Sequence, residues 1–173
     1  MVSTRARSPP YTRSMPPDFE SRWLSVAEQT AWRAFLSAVQ MLNTEVESQL
    51  QRDSGISHAD YEILVRLSEQ PDRSLRMSEL AARAVFSRSR LSHAVGRMER
   101  EGWVQREPSP EDGRGLRAVL TDRGFEVLAT AAPGHVEAVR GVLIDPLSSE
   151  QIDQLAAIAQ TIINAAQTRA ESA

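Results

Sequence analysis

The chain has 173 residues, long enough for one domain with a real core, and its 41% hydrophobic and 25% charged residues predict that most of it folds. It contains no cysteine, which excludes disulfides, thiolate metal sites and a thiol nucleophile or redox sensor. The net charge of −3 argues at first against a nucleic-acid partner, because polyanion binding needs positive charge at the contact surface.

The Arg-, Pro- and Ser-rich start, residues 1–17, reads as a disordered tail without the apolar core of a secretory signal. From about Ser21 to Arg52, apolar residues at Leu24, Ala31, Phe35, Val39, Leu42, Val46 and Leu50 recur at helical spacing, with no Pro or Gly inside. That predicts one helix of roughly 45 Å at about 1.5 Å per residue, longer than a small lobe needs, so a second partner is expected along it. Gly55 ends it. Ser57, with Asp60 three positions on, is a capping arrangement for a second helix carrying Tyr61, Leu64 and Leu67, and Pro71 lies beyond that helix.

A short helix follows from about Met77 to Ala84 with Leu80 and Ala81 inward, then a turn at Val85 and Phe86, then a helix over about Arg88 to Arg100 opened by Ser87 and stopped by Gly102. The last of these stripes Leu91, Val95 and Met98 along one face and carries Arg88, Arg90, His93, Arg97 and Arg100 on the others. Trp103 to Glu107 and Leu116 to Leu120 read as two strands of a β-hairpin around the turn-rich Pro108-Ser-Pro-Glu-Asp-Gly-Arg-Gly115. Thr121 caps a helix to about Ala132, where Pro133-Gly134 kinks or breaks a segment that otherwise continues to about Val142. Ser148 and Gln151 form a capping box for a final helix carrying Ile152, Leu155, Ile158, Ile162 and Ile163. No apolar run approaches the roughly 18 residues of a membrane span, so a soluble cytoplasmic protein with no membrane partner is expected.

Charge is unevenly distributed over these elements. Residues 18–62 hold eight acids and three bases, and residues 126–173 six acids and two bases, whereas residues 83–123 hold nine Arg against six acids. Every base is arginine. The order helix, turn, Arg-rich helix, Arg-tipped hairpin suits DNA: a helix fits the major groove, and an Arg at a hairpin tip reaches the adjacent minor groove.

Met77-Ser-Glu-Leu-Ala81, Ser87-Arg-Ser-Arg-Leu-Ser-His93, Arg97-Met-Glu-Arg-Glu-Gly-Trp-Val-Gln-Arg106, Asp112-Gly-Arg-Gly115 and Val119-Leu-Thr-Asp-Arg-Gly124, in that order and spacing, resemble the signature of the MarR family of bacterial transcriptional regulators. The resemblance covers residues 56–124, with two departures: Met98 stands where the family more often has Leu, and Gly113 where a second Arg is common. It implies a mainly α winged helix-turn-helix protein with long N- and C-terminal dimerisation helices and a two-stranded β wing. Residues 18–55 and 122–173 would be the dimerisation helices and residues 56–121 the DNA-binding lobe. Arg88, Ser89, Arg90, Ser92, His93 and Arg97 would face DNA, Arg114 would be the wing contact, and Asp112 would orient the wing.

The implied function is sequence-specific binding of a pseudo-palindromic double-stranded operator by a homodimer, as a repressor released by a small apolar or phenolic effector. Trp23, Trp32, Phe35, Met41 and Tyr61 are the candidate effector-pocket residues, with core packing as their alternative. An exposed helical Arg is more often solvated than bound, and Arg106 and Arg117 suit pairing with carboxylates such as Glu107 or Glu111. His58 and His135 are too isolated for a metal site, and no metal or cofactor is expected. A winged helix docking its Arg face on an acidic protein is the rival reading. The sequence shows no phosphate-binding Gly loop, metal-ligand spacing or nucleophile motif, so no enzymatic activity is expected.

Overall fold

A computed structural model describes residues 23–84, 87–109 and 115–172. Along them run α1 (Val26–Ser54), α2 (His58–Ser68), β1 (Ser74–Arg76), α3 (Met77–Arg83), α4 (Arg88–Arg100), β2 (Val104–Pro108), β3 (Leu116–Leu120), α5 (Asp122–Val139), a π-helical turn (Arg140–Ile144) and α6 (Ser149–Glu171). The chain divides into two compact units, Met1–Ala38 and Val39–Ala173.

In the first unit, α1 starts later than the apolar spacing suggests. Ser25 and Glu28 form a reciprocal cap there: the Glu28 amide donates to Ser25 Oγ at 3.3 Å and the Ser25 amide to Glu28 Oε2 at 2.7 Å. These bonds hold the Glu28 carboxyl below its ordinary range. Trp32, Phe35 and Leu36 follow, all exposed.

In the second unit, the last turns of α1 bury Val46, Gln49 and Leu50, and Gly55 reverses the chain with φ of +66°, a conformation that other residues resist. Ser57 then caps α2, its hydroxyl accepting from the Asp60 amide at 3.1 Å. Ile63, Leu64 and Leu67 of α2, Leu80 of α3, Leu91, Val95 and Met98 of α4, and Val104, Ala118 and Leu120 of the sheet are fully or almost fully buried together. Each large apolar side chain among them contributes about 1.5–3 kcal/mol on burial.

The sheet has one strand more than the hairpin alone predicts. Its order is β1-β3-β2, both pairings antiparallel, with Leu75 opposite Ala118 and Arg106 opposite Ala118 on the other side. At three residues, β1 is too short to show alternation in the sequence. α5 packs directly on the root of the hairpin, where a Cβ on Gly124 would lie 2.1 Å from the Trp103 carbonyl oxygen.

Pro133 does not break α5, which continues to Val139 with Leu128 and Ala131 buried before the proline. Its continuation is the π turn, closed by the Asp145 amide donating to the Arg140 carbonyl at 2.8 Å. The stretch Asp122–Ile144 passes as a membrane span by length and mean composition alone; Glu126, Glu137 and Arg140 interrupt it, so it holds no continuous apolar run of that length. α6 opens with the predicted Ser148/Gln151 capping box and, among the described residues, buries no side chain: Ile158, Ile162 and Ile163 are all exposed.

Candidate nucleic-acid interface

α4 is built to present one side outward. Ser87 caps it, accepting from the Arg90 amide at 3.2 Å, and Leu91, Ala94, Val95 and Met98 are buried along one stripe. At 3.6 residues per turn, the opposite ridge runs through Ser89, His93, Gly96 and Arg100. Ser89, His93 and Arg100 are exposed, and Arg100 bonds back to the Gly96 carbonyl through Nε at 3.3 Å. Arg88 and Ser92 lie on one flank of this ridge and Arg90 and Arg97 on the other, all exposed. Four arginines and one glutamate thus stand on a single helix of 13 residues.

A cavity of about 440 Å³ lies on the Arg88 and Ser92 flank, lined also by Met77, Arg106 and Leu116. A second cavity, of about 470 Å³, lies on the Arg90, His93 and Arg97 flank, closed by Glu47, Ser57 and Ala59.

The fold ties three of the arginines to carboxylates. Arg97 Nη2 donates to Asp60 Oδ1 of α2 at 2.6 Å. Arg106 of β2 donates to Glu99 of α4 from its backbone amide at 2.9 Å and from Nε at 2.7 Å, with Nη2 in a further ion pair. Those bonds pull the Glu99 carboxyl below its ordinary range and raise the Arg106 guanidinium above its own. Arg117 Nη2 reaches Glu107 at 3.0 Å and its Nη1 reaches Asp72 at 3.4 Å. Glu107 is one of the partners the sequence suggests for a wing-base arginine; Glu99 and Asp72 are not. Asp60 and Glu99 are the residues that sequence reasoning misses at this site, because each meets its arginine only through tertiary packing.

Asp112 and Arg114, with the hairpin tip, and Val85 and Phe86 of the turn before α4, lie outside the described residues. The candidate effector residues separate by burial. Trp23, Trp32, Phe35 and Met41 are exposed, while Tyr61 is buried with its ring 4.2 Å from that of His135. Burial raises the Tyr61 pKa, with the Glu62 charge adding to it. His58 and His135, distant in sequence, meet with ring centroids 5.9 Å apart across α2 and α5. Burial, then the neighbouring His58, lower the His135 pKa against the opposing pull of Glu62. Among the described residues no group of three or more His, Asp or Glu side chains is arranged to hold a metal ion.

Residues 54–115 match the family model described as MarR family. The chain is 49% identical to Sco3205, a MarR family transcriptional regulator from Streptomyces coelicolor solved in complex with DNA; the match covers 84% of this chain and 91% of that one, with a TM-score of 0.81. The chain belongs to the MarR family. A second MarR family regulator from the same organism, AbsC, is 42% identical over 86% of this chain and 99% of its own, also with a TM-score of 0.81. The transcriptional repressor MprA of Escherichia coli (strain K12) is 28% identical over 120 residues, 69% of this chain and 68% of MprA. In MarR terms, α3, the turn and α4 are the helix-turn-helix, and β2 with β3 forms the wing, to which β1 adds a third strand.

Proposed function

We propose that this MarR family member is a DNA-binding transcriptional regulator that acts in the cytoplasm as a homodimeric repressor, reading a pseudo-palindromic operator through α4 and the wing. One observation carries it: α4 anchors a continuous apolar stripe in the core and turns a ridge and two flanks bearing Ser89, Arg88, Arg90, Ser92, His93 and Arg100 outward. Such a helix fits the major groove, where Arg forks onto the guanine edge. Asp112 and Arg114 are assigned to orient and supply the minor-groove contact of the wing. The printed names of relatives support the same reading, since Sco3205 was solved with DNA and MprA is a repressor. Repression needs only occupancy of a promoter. Residues 18–55 and 122–173 are proposed as the dimerisation helices, supported by the exposed apolar side chains of α1, α5 and α6.

The effector is proposed to be a small apolar or phenolic molecule that favours a lobe spacing unsuited to DNA. Its support is the place of Tyr61 at the α2–α5 junction, against His135. The protein-docking alternative gains nothing from the structure or the relatives. A fluorescence titration of wild type, Arg90→Ala and Arg114→Ala against DNA flanking the chain's own gene, at two salt concentrations, tests the assignment. Each variant is expected to lose about 1–3 kcal/mol of specific binding with folding intact. Unchanged tight binding by both would overturn the site assignment, and no DNA binding by wild type would bring the protein-docking reading forward.

A further inference from the structure

We infer that Asp60 fixes the angle at which α4 meets DNA by holding Arg97, and that Arg97 is a positioning residue whose charge is spent inside the lobe. The inference rests on the reading of α4 as the DNA-facing helix. Asp60 stands in the first turn of α2 with its side chain 6% exposed, and both its oxygens are used. Oδ2 accepts from the Ser57 hydroxyl at 2.8 Å and Oδ1 from Arg97 Nη2 at 2.6 Å. A carboxylate buried this deeply needs its cation, because an unpaired charge in that position is strongly unfavourable. Arg97 is 48% exposed, and its Nη2 reaches across to α2.

The geometry gives the pair a task that packing alone does not perform. Leu91, Val95 and Met98 hold α4 to the core by apolar contact, which has no direction and tolerates small rotations about the helix axis. The Arg97–Asp60 bond, joining residues 37 apart in sequence, has a direction and a length. On the other flank, Glu99 is gripped by the backbone and side chain of Arg106 in β2. The C-terminal half of α4 is therefore fastened to α2 on one side and to the wing strand on the other. Its N-terminal half, Arg88 to His93, is seated by Leu91 and turns Arg88, Ser89, Arg90, Ser92 and His93 outward.

A positioning residue and a phosphate contact differ in salt dependence, since each phosphate neutralised adds about 0.9 to the slope of log affinity against log salt. The probe is the duplex that the wild-type chain selects from a randomised pool, and the proteins are wild type, Arg90→Ala, Arg97→Gln, Asp60→Asn and the double variant of the last two. Arg97→Gln and Asp60→Asn are each expected to lower specific affinity roughly tenfold, and the double variant no further than the worse single one. Arg97→Gln is expected to keep the wild-type salt slope and the wild-type affinity for an unselected duplex. Loss of about 0.9 from the slope in Arg97→Gln, or wild-type affinity in both single variants, would overturn the inference. Thermal melts show which variants fold; if the singles do not, Asp60→Leu with Arg97→Met leaves no charge buried and is expected to show the same loss of specific affinity at unchanged slope. Arg90→Ala separates the two levels: if it too leaves affinity and slope unchanged, the DNA face lies elsewhere and the reading beneath the inference fails.

Discussion

Arg97, Arg106 and Arg117 each meet a carboxylate of another element, whereas Arg88 and Arg100 stand exposed on α4 with no carboxylate bridging them among the described contacts. Residue type therefore does not sort the arginines of the middle segment; their neighbours do. The same holds for the histidines. Burial and, after it, His58 lower the His135 pKa, so the unfolded chain takes up a proton at a higher pH than the folded one does. Stability contributed by this group is complete above the unfolded value near 6.5 and is lost as pH falls below it toward the lowered folded value. Urea denaturation from about pH 7.5 down to pH 5 should show a decline that His135→Gln reduces. Gly124→Ala is expected to destabilise by about 1–3 kcal/mol or more, because the added methyl meets the Trp103 backbone rather than a side chain that can swing away. The same denaturation experiment at neutral pH measures it. Ser57 and Asp60 were legible in the sequence as a cap, but the second role of Asp60 was not, since nothing local in the sequence points to a partner 37 positions later.

At the scale of elements, local signals were read well where the chemistry is local. Ser57, Ser87, Thr121 and Ser148 each accept from the amide three residues on, and each opens the helix predicted for it. Thr121 does more, as its hydroxyl also donates to the Gly102 carbonyl at 2.7 Å and so joins α5 to the turn after α4. Thr121→Ala should cost about 1–2 kcal/mol, at the upper end for a lost cap, read as a fall in the denaturation midpoint. What escaped the sequence was set by contacts. β1 exists because β3 offers it an edge, and α5 passes Pro133 because Leu128 and Ala131 are already seated in the core. Apolar spacing places the start of α1 too early because it cannot see a cap, here the reciprocal pair Ser25 and Glu28. The order of elements at the candidate site is legible in the sequence, as is the placement of Arg88, Arg90 and His93 off the apolar stripe of α4. The ion pairs that mount it were not.

Along the sequence, two acidic segments, residues 18–62 and 126–173, flank a basic middle, so the negative total conceals one stretch suited to a polyanion. On the dimeric reading, the apolar side chains of α6 are the test of assembly. Ile158→Asp together with Ile162→Asp is expected to yield a monomer in sedimentation velocity while the core of the lobe, which lies elsewhere, stays folded. DNA affinity should fall with it, since two half-sites bound by one linked pair gain from effective concentration. Among the described residues of α6, a helix of 23 residues, none is fully buried within its own chain, and so thin a seat leaves it marginal alone in water. On dilution below the dissociation constant of the dimer, α6 would therefore melt while the lobe persists, and circular dichroism would lose helix signal at a temperature where α4 is intact. The number of copies in a cell would then set how much of each copy is folded, making abundance itself part of the switch.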